Sequence, residues 1–232
     1  MSLSLDSRSC GKVYVVKCSG KIVAGEESRM LEAALTRTLQ DSNRVVLNVA
    51  DVTRVDSSGM GLLVRFLCRI KNNGGDFRLA GPQPFLRSLM DMTKLSALFH
   101  IYDGEEEAIV SFLKEPAVPA KDSSPVGPLV LFLDQSMDLC AFVRKLLNGH
   151  GYEVVTTCRL RDAKLLAGSA DVSYIVLGPD CAQLPCDTVT AALHPIAGKA
   201  KFVHLEKDFV IDDAGKAAAS LLDKLQSAGA GA

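Results

Sequence analysis

The sequence has no surplus of charge: 26 Lys and Arg stand against 27 Asp and Glu, a formal net charge of −1. Nucleic-acid and membrane partners call for a basic excess or a basic stripe, so neither is expected. No uninterrupted apolar run approaches the roughly 18 residues of a membrane span. The opening stretch Met1–Gly11 is polar and lacks the apolar core of a secretory signal, so a cytoplasmic protein is expected. The seven cysteines, Cys10, Cys18, Cys68, Cys140, Cys158, Cys181 and Cys186, include no Cys-x-x-Cys pair. Cysteine metal sites rely on such short spacings, and the four histidines are scattered, so neither metal nor cofactor is expected. Cys18, Cys68 and Cys140 fall inside apolar-periodic segments, where a free thiol serves as a small core residue. A P-loop, a G-x-S-x-G elbow and a dinucleotide fingerprint are also missing, and no hydroxyl has a base to pair with, so an enzyme is not expected.

What is present fits a globular protein. Apolar residues make up 48 % and charged residues 23 %, which is too apolar for disorder. The 232 residues suffice for two ordinary domains. Between them, Lys114–Pro128 (KEPAVPAKDSSPVGP) has four prolines and no apolar periodicity. Proline fixes φ and removes a donor, so a semi-extended linker is expected there. The expected organisation is a first domain over 1–113, the linker over 114–128, a second domain over 129–228 and a short tail at 229–232.

The first domain alternates strands with helices. Lys12–Ser19 reads as a strand, Lys21–Ala24 as a second short one, and Glu26–Gln40 as a helix with Met30, Leu31, Ala34, Leu35 and Leu39 on one face. Arg44–Val49 is a nearly continuous apolar strand, suited to burial on both faces. A short loop then leads to Asp56-Ser57-Ser58-Gly59 and a helix over Met60–Lys71. Asp76–Ala80 is the next strand, and Gln83–Leu89 and Glu105–Phe112 are helices around a short segment at Phe99–Tyr102. Such alternation implies an α/β fold, a mixed sheet covered by helices.

The segment Leu47–Leu67 (LNVADVTRVDSSGMGLLVRFL) carries the chemistry. Leu62, Leu63, Phe66, Leu67 and Ile70 repeat at helical spacing and must face the core, which puts the hydroxyls at an exposed helix start. Asp56, Ser57 and Ser58 can each cap orphan amides of the first turn. Gly59 and Gly61 would allow a partner surface close to the backbone. Spacing alone leaves two uses open for the serines, a plain helix cap and a modification site. A phosphate there would add about −1.5 to −2 charges, and a helix N-terminus tolerates an anion. A docked partner would be repelled while the fold survived. Arg54, Arg65, Arg69 and Lys71 read as a solvated face, with a basic contact surface as the other use.

These residues, with the opening VYVVKCSGKI, the strand NNGGDFRLAG and the later LMDMTKLSALFHIYDGEEEAI, resemble the STAS domains of bacterial anti-sigma factor antagonists over roughly residues 10 to 113. The resemblance implies that Ser57 is phosphorylated by a partner anti-sigma factor that is itself a serine kinase. Asp56, Ser58 and Gly59 then shape the contact loop, and a phosphatase resets the switch.

The second domain reads as strands at Leu129–Leu133, Glu153–Thr157, Val172–Leu177 and Lys201–Leu205. Helices are expected at Met137–Asn148, Arg161–Ala167 and Ala214–Gln226, with Pro185 and Pro195 interrupting the middle. This is a doubly wound alternation. It resembles a response-regulator receiver domain of the flavodoxin-like type, shortened by one strand–helix unit. The resemblance implies an acidic residue at Asp134 and a lysine at Lys207, but puts Gly178 where the phosphate-accepting aspartate would stand. Asp180 lies two residues late. A degenerate receiver that binds or forms a homodimer is the expectation; the alternative is a phosphorelay receiver in which Asp180 accepts phosphate and the STAS half is the output.

Overall fold

The computed structural model describes residues 2–114, 127–181, 184–206, 209 and 214–230. The chain divides into two compact units, Met1–Val118 and Pro119–Ala232. Most of the proline-rich stretch, 115–126, lies outside the described residues, as does Lys207.

The first unit is built from β1 (Ser4–Cys10), β2 (Val13–Ile22), α1 (Glu26–Asp41), β3 (Arg44–Val55), α2 (Ser57–Asn72), β4 (Asp76–Ala80), α3 (Pro84–Met92), β5 (His100–Tyr102) and α4 (Glu105–Lys114). Its strands run in the order β5-β4-β3-β2-β1. β1 and β2 form an antiparallel hairpin, and β2, β3, β4 and β5 are mutually parallel, so the sheet is mixed. Alternation along each strand sorts the side chains to two faces. Val45, Leu47, Val49, Phe77 and Leu79 join α1, α2 and α3 in one core, where Phe77 stands edge-on to Phe66 with ring centroids 5.3 Å apart. The opposite face carries Asn48 and Arg78 towards α4: Asn48 donates to Glu105 at 2.6 Å and Arg78 donates to Ser111. Arg78 is fully buried, with its guanidinium 3.6 Å from the centre of the Phe112 ring and its Nε 3.2 Å from Asp76.

Three segments of the first unit depart from the strands and loop expected of them. β1 was not expected, because Ser4–Cys10 is largely polar; pairing with β2, residue for residue, holds it extended. Lys21 and Ile22 continue β2 rather than starting a new strand, since Gly20 takes φ +104° and keeps the chain in the ladder. The residues expected as a loop before Asp56 extend β3 to Val55, with Val52 and Val55 buried and Asp51, Thr53 and Arg54 exposed. From the Val13↔Arg44 pair to the Ile22↔Val55 pair, β3 uses two more residues than β2, through register shifts opposite Lys17–Ser19 and Gly20–Lys21.

The second unit comprises β6 (Leu129–Leu133), α5 (Met137–Asn148), β7 (Glu153–Thr157), α6 (Leu160–Ser169), β8 (Tyr174–Leu177), α7 (Cys186–Leu193), β9 (Lys201–His204) and α8 (Ala214–Ala230). The strands are parallel in the order β7-β6-β8-β9. α5 and α8 cover one face through Val143, Leu147, Leu221 and Leu225, while α6 packs with α7 and against β6 and β7. α7 was not expected. Its flanking prolines sit at its ends rather than inside it: Pro185 is the N-cap and Pro195 follows the C-cap His194, positions where a missing N–H costs nothing. α8 runs on to Ala230, into the stretch expected as tail.

Candidate functional site

Because β2, β3 and β4 are parallel and each is followed by a helix, α1, α2 and α3 all begin at the same edge of the sheet. α2 begins at the expected motif. Three residues competed for the cap, and Asp56 takes it: its backbone is extended (φ −103°, ψ −178°) and its Oδ1 accepts from the Gly59 N–H at 2.8 Å. Its other oxygen accepts from the Ala24 N–H at 2.9 Å, tying the entry to α1 to the entry to α2. Ser28 holds the same entry loop by donating to the Val23 carbonyl at 2.6 Å. The backbone donors Ala24, Gly59 and Ser58, with Arg54 nearby, hold the Asp56 carboxyl below the ordinary aspartate range.

With the cap supplied by Asp56, the hydroxyls of Ser57 and Ser58 have no hydrogen-bond partner among the described residues. Both serines are exposed on the first turn. Gly59 is different. It was expected to admit a partner surface, but it is buried, and a Cβ there would stand 2.3 Å from the Ile22 carbonyl oxygen. The close approach it permits is internal, between α2 and the end of β2. Gly61 is half-exposed and has room for a Cβ, its nearest neighbour being Arg65 Nη1 at 3.6 Å. The exposed rim around this helix start therefore consists of Ser57 and Ser58, half-exposed Asp56 and exposed Ala24, Gly25 and Arg54. The Asp56–Ala24 bond has no signature in sequence, since it joins segments 32 residues apart. Arg65, Arg69 and Lys71 are exposed along the remainder of α2.

In the second unit the structure brings Asp134 and Asp180 together through the backbone. Asp134 is 1 % exposed; its carboxylate accepts from the Asp180 N–H at 3.0 Å and the Ser136 N–H at 2.7 Å. Burial raises its pKa above the ordinary value, and the Asp180 carboxylate adds to the rise, against those two donors. Asp180 itself is exposed. A Cβ at Gly178 would lie 2.1 Å from Asp134 Oδ2, so side chains at both positions are mutually exclusive in this backbone. Lys207 lies outside the described residues. Among the described residues, no three His, Cys, Asp or Glu side chains cluster to hold a metal ion. No helix among them is long and apolar enough to cross a membrane.

The STAS domain family profile matches residues 5–108. The anti-sigma-B factor antagonist of Staphylococcus aureus is 30 % identical over 107 residues, covering 46 % of this chain and 98 % of that protein. That of Staphylococcus epidermidis is 26 % identical over 106 residues, with the same coverage of each chain. Among solved structures, an anti-sigma factor antagonist from Mycobacterium paratuberculosis is 22 % identical, covers 47 % of this chain and 93 % of its own, and gives a TM-score of 0.43. The chain belongs to the STAS domain family, through its first unit, with anti-sigma-B factor antagonists among its relatives.

Proposed function

We propose that the first unit is the switch element of an anti-sigma factor antagonist, binding a partner anti-sigma factor of the serine-kinase type through the start of α2. Phosphorylation of Ser57 by that kinase releases the partner, and a phosphatase restores binding. The observation that carries this reading is the exposed Ser57 hydroxyl, without a hydrogen-bond partner among the described residues, at the first position of a helix capped by another residue. A phosphate there adds about −1.5 to −2 charges where backbone amides favour an anion, without displacing the cap. The modified unit keeps its fold, and only a docked partner meets the new charge and its desolvation. Support from kinship is the match to curated anti-sigma-B factor antagonists over nearly their full length.

The test is phosphate localisation on protein purified from its native cells, followed by binding of Ser57 variants to the kinase so identified. Ser57→Asp should bind weakly and Ser57→Ala constitutively. Equal affinities for the two variants would sink the switch.

The second unit is proposed as a receiver-like module without its phosphoacceptor. Its strand order is the second-first-third-fourth order of flavodoxin-like sheets, and Gly178 faces Asp134 where a carboxylate would have to fit. Incubation with acetyl phosphate should leave this unit unlabelled. Label lost in an Asp180→Asn variant would instead make Asp180 the acceptor.

A further inference from the structure

Doubly wound sheets carry their sites beyond the carboxyl ends of the strands. In the second unit that edge collects thiols: Cys140 donates to the Asp134 carbonyl at 3.5 Å, Cys158 follows β7, Cys181 stands a few residues after β8 and Cys186 begins α7. Two of them touch. The Cys181 and Cys186 sulfurs are 2.9 Å apart, both reduced. A disulfide needs about 2.05 Å, so closing the bond asks for a movement of less than about 1 Å. The two sulfurs are not equivalent. Cys186 is half-exposed at the first position of α7, whereas Cys181 is 1 % exposed. Burial, with the neighbouring Cys186 sulfur adding to it, pushes the Cys181 thiol up to about 12.

We propose that Cys181 and Cys186 form a reversible intrachain disulfide, a redox modification site in the second unit, with a hydroperoxide as oxidant. Cys186, the accessible thiol, attacks the outer peroxide oxygen; the O–O bond breaks, the sulfur is oxidised to a sulfenic acid, and the peroxide is reduced to water or an alcohol. Cys181 then attacks the Cys186 sulfur. The S–O bond breaks, the S–S bond forms, and the Cys181 proton leaves with the hydroxide as water. A dithiol reverses the step by exchange, returning both thiols and leaving oxidised as its own disulfide. The bond would fasten the chain one residue after Asp180, whose N–H holds the Asp134 carboxylate and whose carbonyl accepts from the Gln135 N–H at 3.1 Å. Oxidation is thereby written next to the backbone that holds the Asp134 carboxylate.

The experiment treats the reduced full chain with hydrogen peroxide, blocks remaining thiols with a maleimide and maps the peptides by mass. The expected product is a Cys181–Cys186 cross-link about 2 Da lighter than the dithiol, removed by dithiothreitol. With dimedone present, the ratio of cross-link to dimedone-labelled Cys186 should be at least roughly tenfold higher in the folded chain than in urea, because the fold holds the sulfurs in contact for the second step. Equal ratios in the two conditions, or Cys181 and Cys186 each carrying its own maleimide after oxidation, would overturn the proposal. A Cys186→Ser variant gives a second reading. Cys181 should then stay reduced in the folded chain; its oxidation at the unaltered rate would also overturn it.

Discussion

Replacing Gly59 by alanine sets two effects of opposite sign against each other. In an exposed helix interior, glycine to alanine stabilises by about 1 kcal/mol. At Gly59, however, the added methyl would stand 2.3 Å from the Ile22 carbonyl oxygen and 2.9 Å from the Ile22 Cγ2. The nearest obstacle is backbone of a buried strand, which cannot swing aside as a side-chain tip can. Relief requires the first turn of α2 to shift, and overpacking of this kind costs about 1–3 kcal/mol or more. Close contact with a backbone carbonyl puts Gly59 at the upper end, so the net loss should be about 1–2 kcal/mol. Gly61→Ala is the internal control. Its Cβ has 3.6 Å to the nearest atom, so it should gain about 0.5–1 kcal/mol. Urea unfolding followed by circular dichroism measures both, and hydrogen exchange over Ser57–Asn72 localises the change to α2. A Gly59→Ala variant as stable as the parent, or more so, refutes the contact as the reason for glycine at this position.

Asp56→Asn should lower stability, and the deficit should be pH-dependent. The folded carboxyl titrates below its ordinary value, so its contribution is present above the unfolded pKa and is lost as pH falls through the folded one. Melting curves of the two proteins should therefore converge on acidification, and a constant gap would contradict the assignment. Gly178→Ala should destabilise the second unit by about 1–3 kcal/mol through its clash with Asp134, seen as earlier unfolding of peptides from β6 and β8 in hydrogen exchange. Arg78→Ala should cost about 3 kcal/mol, because it strips a buried partner from Asp76 and empties the space over Phe112. Arg78→Lys should recover little of this in thermal melts, since an ammonium lacks the flat face that lies on the ring.

Legibility in the sequence followed the strength of the local signal. β6, α5 and β7 were readable to the residue because LVLFL is uniformly apolar, Ser136 caps α5 through the Leu139 N–H, and Gly149 closes it. β1 was hidden because only Arg8 and Cys10 of its seven residues are buried, so its extended form comes from its partner strand and not from its own pattern. α7 was hidden by its brevity and by prolines that look like breakers until their positions at its two ends are known. At the site, the exposed serines were legible from the core-facing repeat of α2. The choice of Asp56 as cap was not, since three good capping residues stand in a row and the deciding partner, Ala24, is distant in sequence. Gly59 was recognised as a place of close approach, but what approaches it is the strand end inside the fold. The contact of Cys181 with Cys186 lay outside the spacings by which paired cysteines are recognised.

The two residues by which β3 outruns β2 make the rim of the first unit a matter of length as well as chemistry. Register shifts of this kind bend and twist a strand locally, and here they bring Val55 level with Ile22 so that Asp56 can reach Ala24. Removing one of those residues would turn every following side chain of β3 to the opposite face and draw Asp56 off its partner. Exchanging the exposed Asp51, Thr53 or Arg54 therefore leaves the reach of Asp56 intact, whereas adding or removing one residue of this stretch does not.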